Sequence, residues 1–228
     1  MEQENSTESA KSRVLAAALP HATFDGWSQA TLQAALTDSN VAPALGKALF
    51  PRGGIDLAVA YHQAGDQAMR DALAAQDLSA LRYTARVALA IRLRLQAADR
   101  ELVRRGTALF SLPQHAPEGA RLVWGTADAI WSALGDSSRD INWYTKRATL
   151  SAVYGATVLF WLGDQSEDSA DTWAFLDRRL ANVTQFEKTK AAIRDNPLAK
   201  TLLKGPLGLL DRLQAPKSDA DLPGHSDR

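Results

Sequence analysis

Ser28-Gln29-Ala30-Thr31-Leu32-Gln33-Ala34-Ala35-Leu36, the turn Asp38-Ser39-Asn40, and Pro43-Ala44-Leu45-Gly46-Lys47-Ala48-Leu49 decide the architecture of this chain. Ser28 is a suitable N-cap, and Leu32, Ala35 and Leu36 follow it at helical spacing. Pro43 suits the first turn of a third helix holding Leu45, Ala48 and Leu49. Upstream, Gly26 separates these from a helix over 12–21 that carries Val14, Leu15, Ala18 and Leu19 on one face. Downstream, Pro51-Arg52-Gly53-Gly54 ends the third helix, and a longer one presents Ile55, Ala58, Val59, His62, Met69 and Leu73 at helical intervals. Three short helices followed by a longer one is the layout of a helix-turn-helix head on a helical body.

The same period continues outward, and no run of alternating β-branched residues competes with it, so the fold class is all-α. Helices are expected over about 78–98, 100–110 and 117–134, with Gly135 stopping the last of these. Asp140 or Asn142 can cap the next, which reaches Leu162 and halts at Gly163. The acidic stretch 164–168 reads as a solvated loop before a helix over about 170–192.

Composition narrows the function. Of 228 residues, 46% are hydrophobic and 23% charged, the balance of a folded globular chain. Lys plus Arg and Asp plus Glu both number 26, so there is no bulk positive charge for nucleic acid. Cysteine is absent, which removes disulfides, thiolate nucleophiles and Cys-ligated metals. Nucleophile-elbow, phosphate-loop, dinucleotide and H-E-x-x-H motifs are all missing, as is E-x-x-H spacing around His21, His62, His115 and His225. No catalytic residue and no metal site is therefore assigned. His62, on an apolar helix face, reads as a satisfied core or boundary histidine.

The would-be recognition helix over 41–49 has Lys47 as its one charge, so DNA is not the expected partner. Arg82, Arg86, Arg92, Arg94, Arg100, Arg104 and Arg105 form a more basic stretch, read as a solvated face whose stems cover apolar surface. Five of the six tryptophans fall between Trp124 and Trp173. Trp143 and Arg147 are four apart, hence neighbours on one helix face beside a polar loop. Trp, Tyr and Arg are also the residue types enriched at interface hot spots.

Thr126-Ala127-Asp128-Ala129-Ile130-Trp131, Gly135-Asp136 and Asp140-Ile141-Asn142-Trp143-Tyr144-Thr145-Lys146-Arg147-Ala148-Thr149-Leu150 closely resemble the COQ-nine family of ubiquinone biosynthesis. Asp171-Thr172-Trp173-Ala174-Phe175-Leu176-Asp177-Arg178-Arg179 resembles the family's next helix, and Ser111-Leu112-Pro113-Gln114-His115-Ala116-Pro117 its loop. The resemblance implies a TetR-regulator-like helical fold with a degenerate head, and a non-catalytic, dimerising, lipid-binding protein peripheral to membranes. It implies no cofactor, an isoprenoid lipid or quinone intermediate as ligand, and a ubiquinone-pathway hydroxylase (the di-iron demethoxyubiquinone hydroxylase among them) as partner. Carried over by position, Asp128, Ile130, Trp143, Tyr144 and Arg147 are the expected partner-binding residues. Leu122, Val123, Val153 and Thr157 are the expected lining of a lipid cavity.

Near the C-terminus, Leu198, Leu202, Leu203, Leu209, Leu210 and Leu213 share a broad arc opposite Lys200, Lys204, Asp211 and Arg212, with Leu207 at the boundary. Gly205-Pro206 interrupts this amphipathic pattern. The resemblance favours membrane contact over docking on the body. The expected organisation is a disordered start (1–10), a head (11–54), a lipid-binding and dimerisation body (55–193), a membrane-contacting segment (194–214) and a disordered tail (215–228). The opening residues show neither an apolar signal segment nor an Arg-rich transit pattern. The expected location is accordingly a bacterial-type cytoplasm, peripheral on the inner membrane. Two other classes remain open: a TetR-type repressor with an apolar inducer, and an enzyme using Asp128 and Asp140 as acid and base.

Overall fold

The computed structural model describes residues 2–195, with side-chain surroundings for 7–185. The leucines assigned to the membrane (198–213), the Gly205-Pro206 break and the tail lie outside the described residues. Among the described residues there are nine α-helices, one short 3-10 turn and no strand. The head comprises α1 (Glu2–Asp25), α2 (Gln29–Asp38) and α3 (Pro43–Leu49). The body comprises α4 (Gly54–Ala74), α5 (Tyr83–Gln96), α6 (Arg100–Phe110), α7 (Ala116–Ala133), α8 (Ile141–Gly163) and α9 (Ala170–Asp195).

Local chemistry sets these boundaries. The Ser28 hydroxyl accepts from Thr31 N at 3.1 Å, capping α2. Asp140 caps α8 through Asn142 N at 3.0 Å. Gly135 takes φ +76°, a left-handed conformation that costs glycine no Cβ clash, and α7 ends there.

Three expectations change. Residues 2–10 are not a disordered start: α1 extends back to Glu2, and Ala10 is buried. No proline or glycine interrupts the run before Pro20. α5 begins at Tyr83 rather than near Leu78, because the Asp77 carboxylate accepts from Ser79 N at 2.9 Å and holds a turn there. In α3 it is Gly46 that is buried, while Leu45 and Ala48 are exposed. A Cβ at Gly46 would meet Leu36 at 2.4 Å, so this close approach turns the leucine outward.

Two apolar clusters hold the molecule. Val14, Ala18, Trp27, Leu32, Leu36 and Phe50 form the head core, which also takes in Leu57 and Ala58 of α4 and Leu102 of α6. Trp27 Nε1 donates to Leu102 O at 3.2 Å, tying head to body. Residue 54 is thus no core boundary, since α4 belongs to both units. Met69 and Leu73 at its far end join the body core with Ile91, Leu95, Ile130, Leu150, Trp161 and Leu176.

Most of the arginine stretch is not free surface. Arg94 is buried, Arg100 lies over the Trp161 ring at 4.9 Å, Arg92 bonds Asp177, and Arg104 and Arg105 bond Glu101. Arg92, Arg94 and Arg100 tie α5 and α6 to α4, α8 and α9, whereas Arg82, Arg104 and Arg105 are exposed, the last two pairing with Glu101 of their own helix, so the solvated-face reading holds for part of the stretch.

Candidate cavity and aromatic–cationic patch

An apolar cavity of about 310 Å³ lies between α4, α6, α7 and α8. Val103 and Phe110 of α6, Leu122 and Val123 of α7, and Val158 and Leu159 of α8 supply most of its apolar wall. Leu159 is 63% exposed, which places it at the mouth. The volume falls in the range of small-molecule sites, roughly 300–1,000 Å³. Of the four expected lining residues, Leu122 and Val123 are in the wall. Val153 and Thr157 are not. Both lie on the adjacent face of α8, where the Thr157 hydroxyl is buried and donates to Val153 O at 2.7 Å. Val153 borders a different hollow, of about 420 Å³, between α5, α8 and α9, whose wall includes Asn142, Thr145, Lys146 and Thr184.

One side of the apolar cavity is polar. Arg94 Nε donates to Asp66 Oδ1 at 2.7 Å, and Arg94 Nη2 donates to His62 O at 2.9 Å. A Cβ at Gly65 would lie 2.5 Å from Arg94 Nη1, so glycine there lets the guanidinium lie against α4. The Thr126 hydroxyl donates to Asp66 Oδ1 at 2.9 Å. His62 Nε2 sits 2.8 Å from Thr126 Oγ1 and 3.2 Å from Leu122 O. Burial drives the His62 imidazole down to about 4, with Asp66 opposing and Arg94 adding to the effect, so it is neutral at pH 7. Burial also raises the Tyr154 phenol beside it. His62 is the boundary histidine expected, held at Nε2 by partners from α7, 60 and 64 residues away.

The second site is at the start of α8. The Arg147 guanidinium is 2% exposed: Nε bonds Asp128 Oδ1 at 2.5 Å, and Nη1 bonds Asp136 Oδ2 at 3.1 Å. It also lies over the Trp143 ring at 4.0 Å. Trp143 meets Tyr144 edge-on at 4.8 Å and Trp124 at 6.0 Å. Burial pushes the Asp136 carboxyl up, but hydrogen bonds from Lys146, Ser138 and Arg147 outweigh it and hold it below the usual carboxylate range.

Four of the five expected partner residues therefore come together. Ile130 does not join them. It is fully buried in the body core, because position 130 points inward where Asp128 points out. Arg147 is equally covered, so it can act only by setting Trp143 and Asp128 in place. Trp124, Asp136 and Lys146 complete the patch and were not assigned to it from sequence, although all three stand within the resembling motifs or beside them.

In the acidic stretch Gln165, Glu167 and Asp168 are exposed as expected, and Asp164 is the exception. Asp164 is buried rather than solvated, accepting from Ser166 Oγ at 2.6 Å and Thr172 N at 2.9 Å. These hydrogen bonds hold its carboxyl well below the ordinary range. Among the described residues no group of three or more His, Asp or Glu could hold a metal ion. None of the described helices is long and apolar enough to cross a membrane.

The fold and the sequence both resemble known proteins. The structure resembles the TetR transcriptional regulator from Nitrosomonas europaea with a TM-score of 0.61, covering 77% of this chain and 98% of that one. At 19% identity this likeness establishes a shared TetR-like fold and no more. Residues 116–187, which hold α7, α8 and the patch, match the COQ9 family model. The Xenopus tropicalis ubiquinone biosynthesis protein COQ9, mitochondrial, is 30% identical over 91% of this chain and 70% of its own length. The rat protein is 35% identical over 46% of this chain, and the human one 34% over the same share. The matched stretch spans only about a third of each of those two proteins (33% and 32%). All these relatives are named mitochondrial, which corrects the expectation of a bacterial-type cytoplasm peripheral on an inner membrane. That expectation rested on the composition of a few opening residues. From the extent of the match and the shared fold, this chain belongs to the COQ9 family of ubiquinone biosynthesis proteins.

Proposed function

We propose that the protein is a non-catalytic carrier that binds an isoprenoid quinone intermediate and offers it to a hydroxylase of ubiquinone biosynthesis. The observation that carries this reading is the apolar cavity with its exposed leucine at the mouth. Each buried CH₂ of a prenyl tail gains about 0.8 kcal/mol, so such a cavity can lift a tail that water would not dissolve. The second hollow suits a tail less well because lysine, asparagine and threonines share its wall. Bond chemistry is left to the partner. The two acids that could have formed a catalytic pair are committed elsewhere, Asp140 to the α8 cap and Asp128 to Arg147.

The Trp143–Tyr144 pair, pinned by Arg147, is the proposed docking face for the hydroxylase. A cation held over one ring limits its motion, and a preset aromatic anchor loses less freedom on binding. Self-association through α8 and α9, and membrane contact by the leucine-rich segment over 194–214, complete the proposal. The test is a titration of delipidated protein with a prenylated benzoquinone. Saturable one-site binding supports the reading, and its absence refutes it.

A further inference from the structure

The polar side of the cavity has a direction. Nε2 of His62 faces Leu122 O and Thr126 Oγ1. A carbonyl oxygen can only accept. The Thr126 hydroxyl hydrogen is directed to the Asp66 carboxylate, which is in turn held by Arg94. Both contacts therefore require the proton on Nε2. Nδ1 is then a bare lone pair on a neutral ring, it has no partner among the described residues, and His62 lines the cavity. A relay of four side chains, Arg94, Asp66, Thr126 and His62, keeps an acceptor next to apolar walls.

We infer that the cavity selects a ligand with a hydroxyl at its ring end, a prenylated phenol or quinol, whose O–H donates to His62 Nδ1, over the corresponding quinone, which has only carbonyl acceptors. A quinone oxygen against Nδ1 would set two lone pairs facing each other in a place with little water. The quinol supplies the missing proton. This inference rests on the cavity being the lipid site and adds which redox form it takes.

The experiment is calorimetric titration of the delipidated full chain with a decyl-tailed benzoquinone and, under argon, with its reduced quinol. The two share one tail, so tail burial cancels in their ratio. The quinol is expected to bind about three- to tenfold more tightly, the span of one net hydrogen bond. In His62→Phe the preference is expected to collapse to near one. Equal affinities in the wild-type protein overturn the selection while leaving lipid binding intact, and a preference surviving in His62→Phe overturns the assignment to His62. Binding of neither form refutes the carrier reading itself. Should His62→Phe fail to fold, the wild-type ratio still decides.

Discussion

Gly155 lines the cavity from α8, and a Cβ built there meets only Val123, at 4.0 Å. Gly155→Leu should therefore extend four carbons into the space where a lipid tail would lie. Two consequences of opposite sign follow. Replacing glycine inside a helix gains roughly 0.5–1 kcal/mol of stability, which in a chain of this size raises Tm by about 2–4 °C per kcal/mol. Four ligand carbons excluded at about 0.8 kcal/mol each cost about 3 kcal/mol of binding, a loss of roughly a hundredfold in affinity. Thermal denaturation of lipid-free protein and titration with a prenylated quinone read the two effects separately. A merely damaging substitution lowers both. A stabilised variant with unchanged affinity would place the ligand outside this cavity, and a destabilised one would mean that the space beside Gly155 is absent.

Three other perturbations test the polar side and the patch. Arg94→Met leaves Asp66 buried without its cation and should cost about 3–5 kcal/mol in chemical denaturation, whereas loss below about 1 kcal/mol would show the pair to be solvated. With His62 lowered from 6.5 to about 4, the unfolded chain takes up a proton before the folded one does. Stability present above pH 6.5 is therefore lost by up to about 3 kcal/mol as pH falls towards 4, with Arg94 charged and Tyr61 and Tyr154 neutral throughout, and His62→Phe should flatten that window of the urea-midpoint profile. Trp143→Lys should weaken hydroxylase binding at least tenfold in surface-plasmon measurements, while prenyl-quinone affinity, measured in parallel, stays near the wild-type value.

Much of the fold could be read locally, since its boundaries are set by local chemistry. Ser28, Pro43, Gly135 and Asp140 each act on neighbours within a turn, and each stands where its residue type suggested. Apart from the local Asp77–Ser79 turn before α5, most of what failed depended on neighbours distant in sequence. Helical period marks α8 as apolar around Val153, Tyr154, Thr157 and Val158, but it cannot say which of two adjacent faces meets α6 and α7 across a cavity and which meets α5 and α9. That ambiguity is why Val153 and Thr157 lie outside the wall that Leu122 and Val123 share. Ile130 was carried over by position within a motif in which Thr126, Ala127, Ala129 and Ile130 are all buried and only Asp128 and Trp131 reach the surface in part. His62 and Asp66 stand four apart on α4 and could have suggested a polar face, yet their partners Arg94, Leu122 and Thr126 arrive from α5 and α7. Asp164 looked like part of a charged loop because its capping of Thr172 appears only once the loop turns back on itself.

The most direct measurement is mass spectrometry of the organic extract from natively purified protein, compared with the Gly155→Leu variant prepared in the same way. Wild-type material should release prenylated lipid in near-stoichiometric amount, and the variant little or none. A wild-type extract free of prenyl chains, or equal loading of both proteins, would contradict the claim that this cavity shelters the isoprenoid cargo.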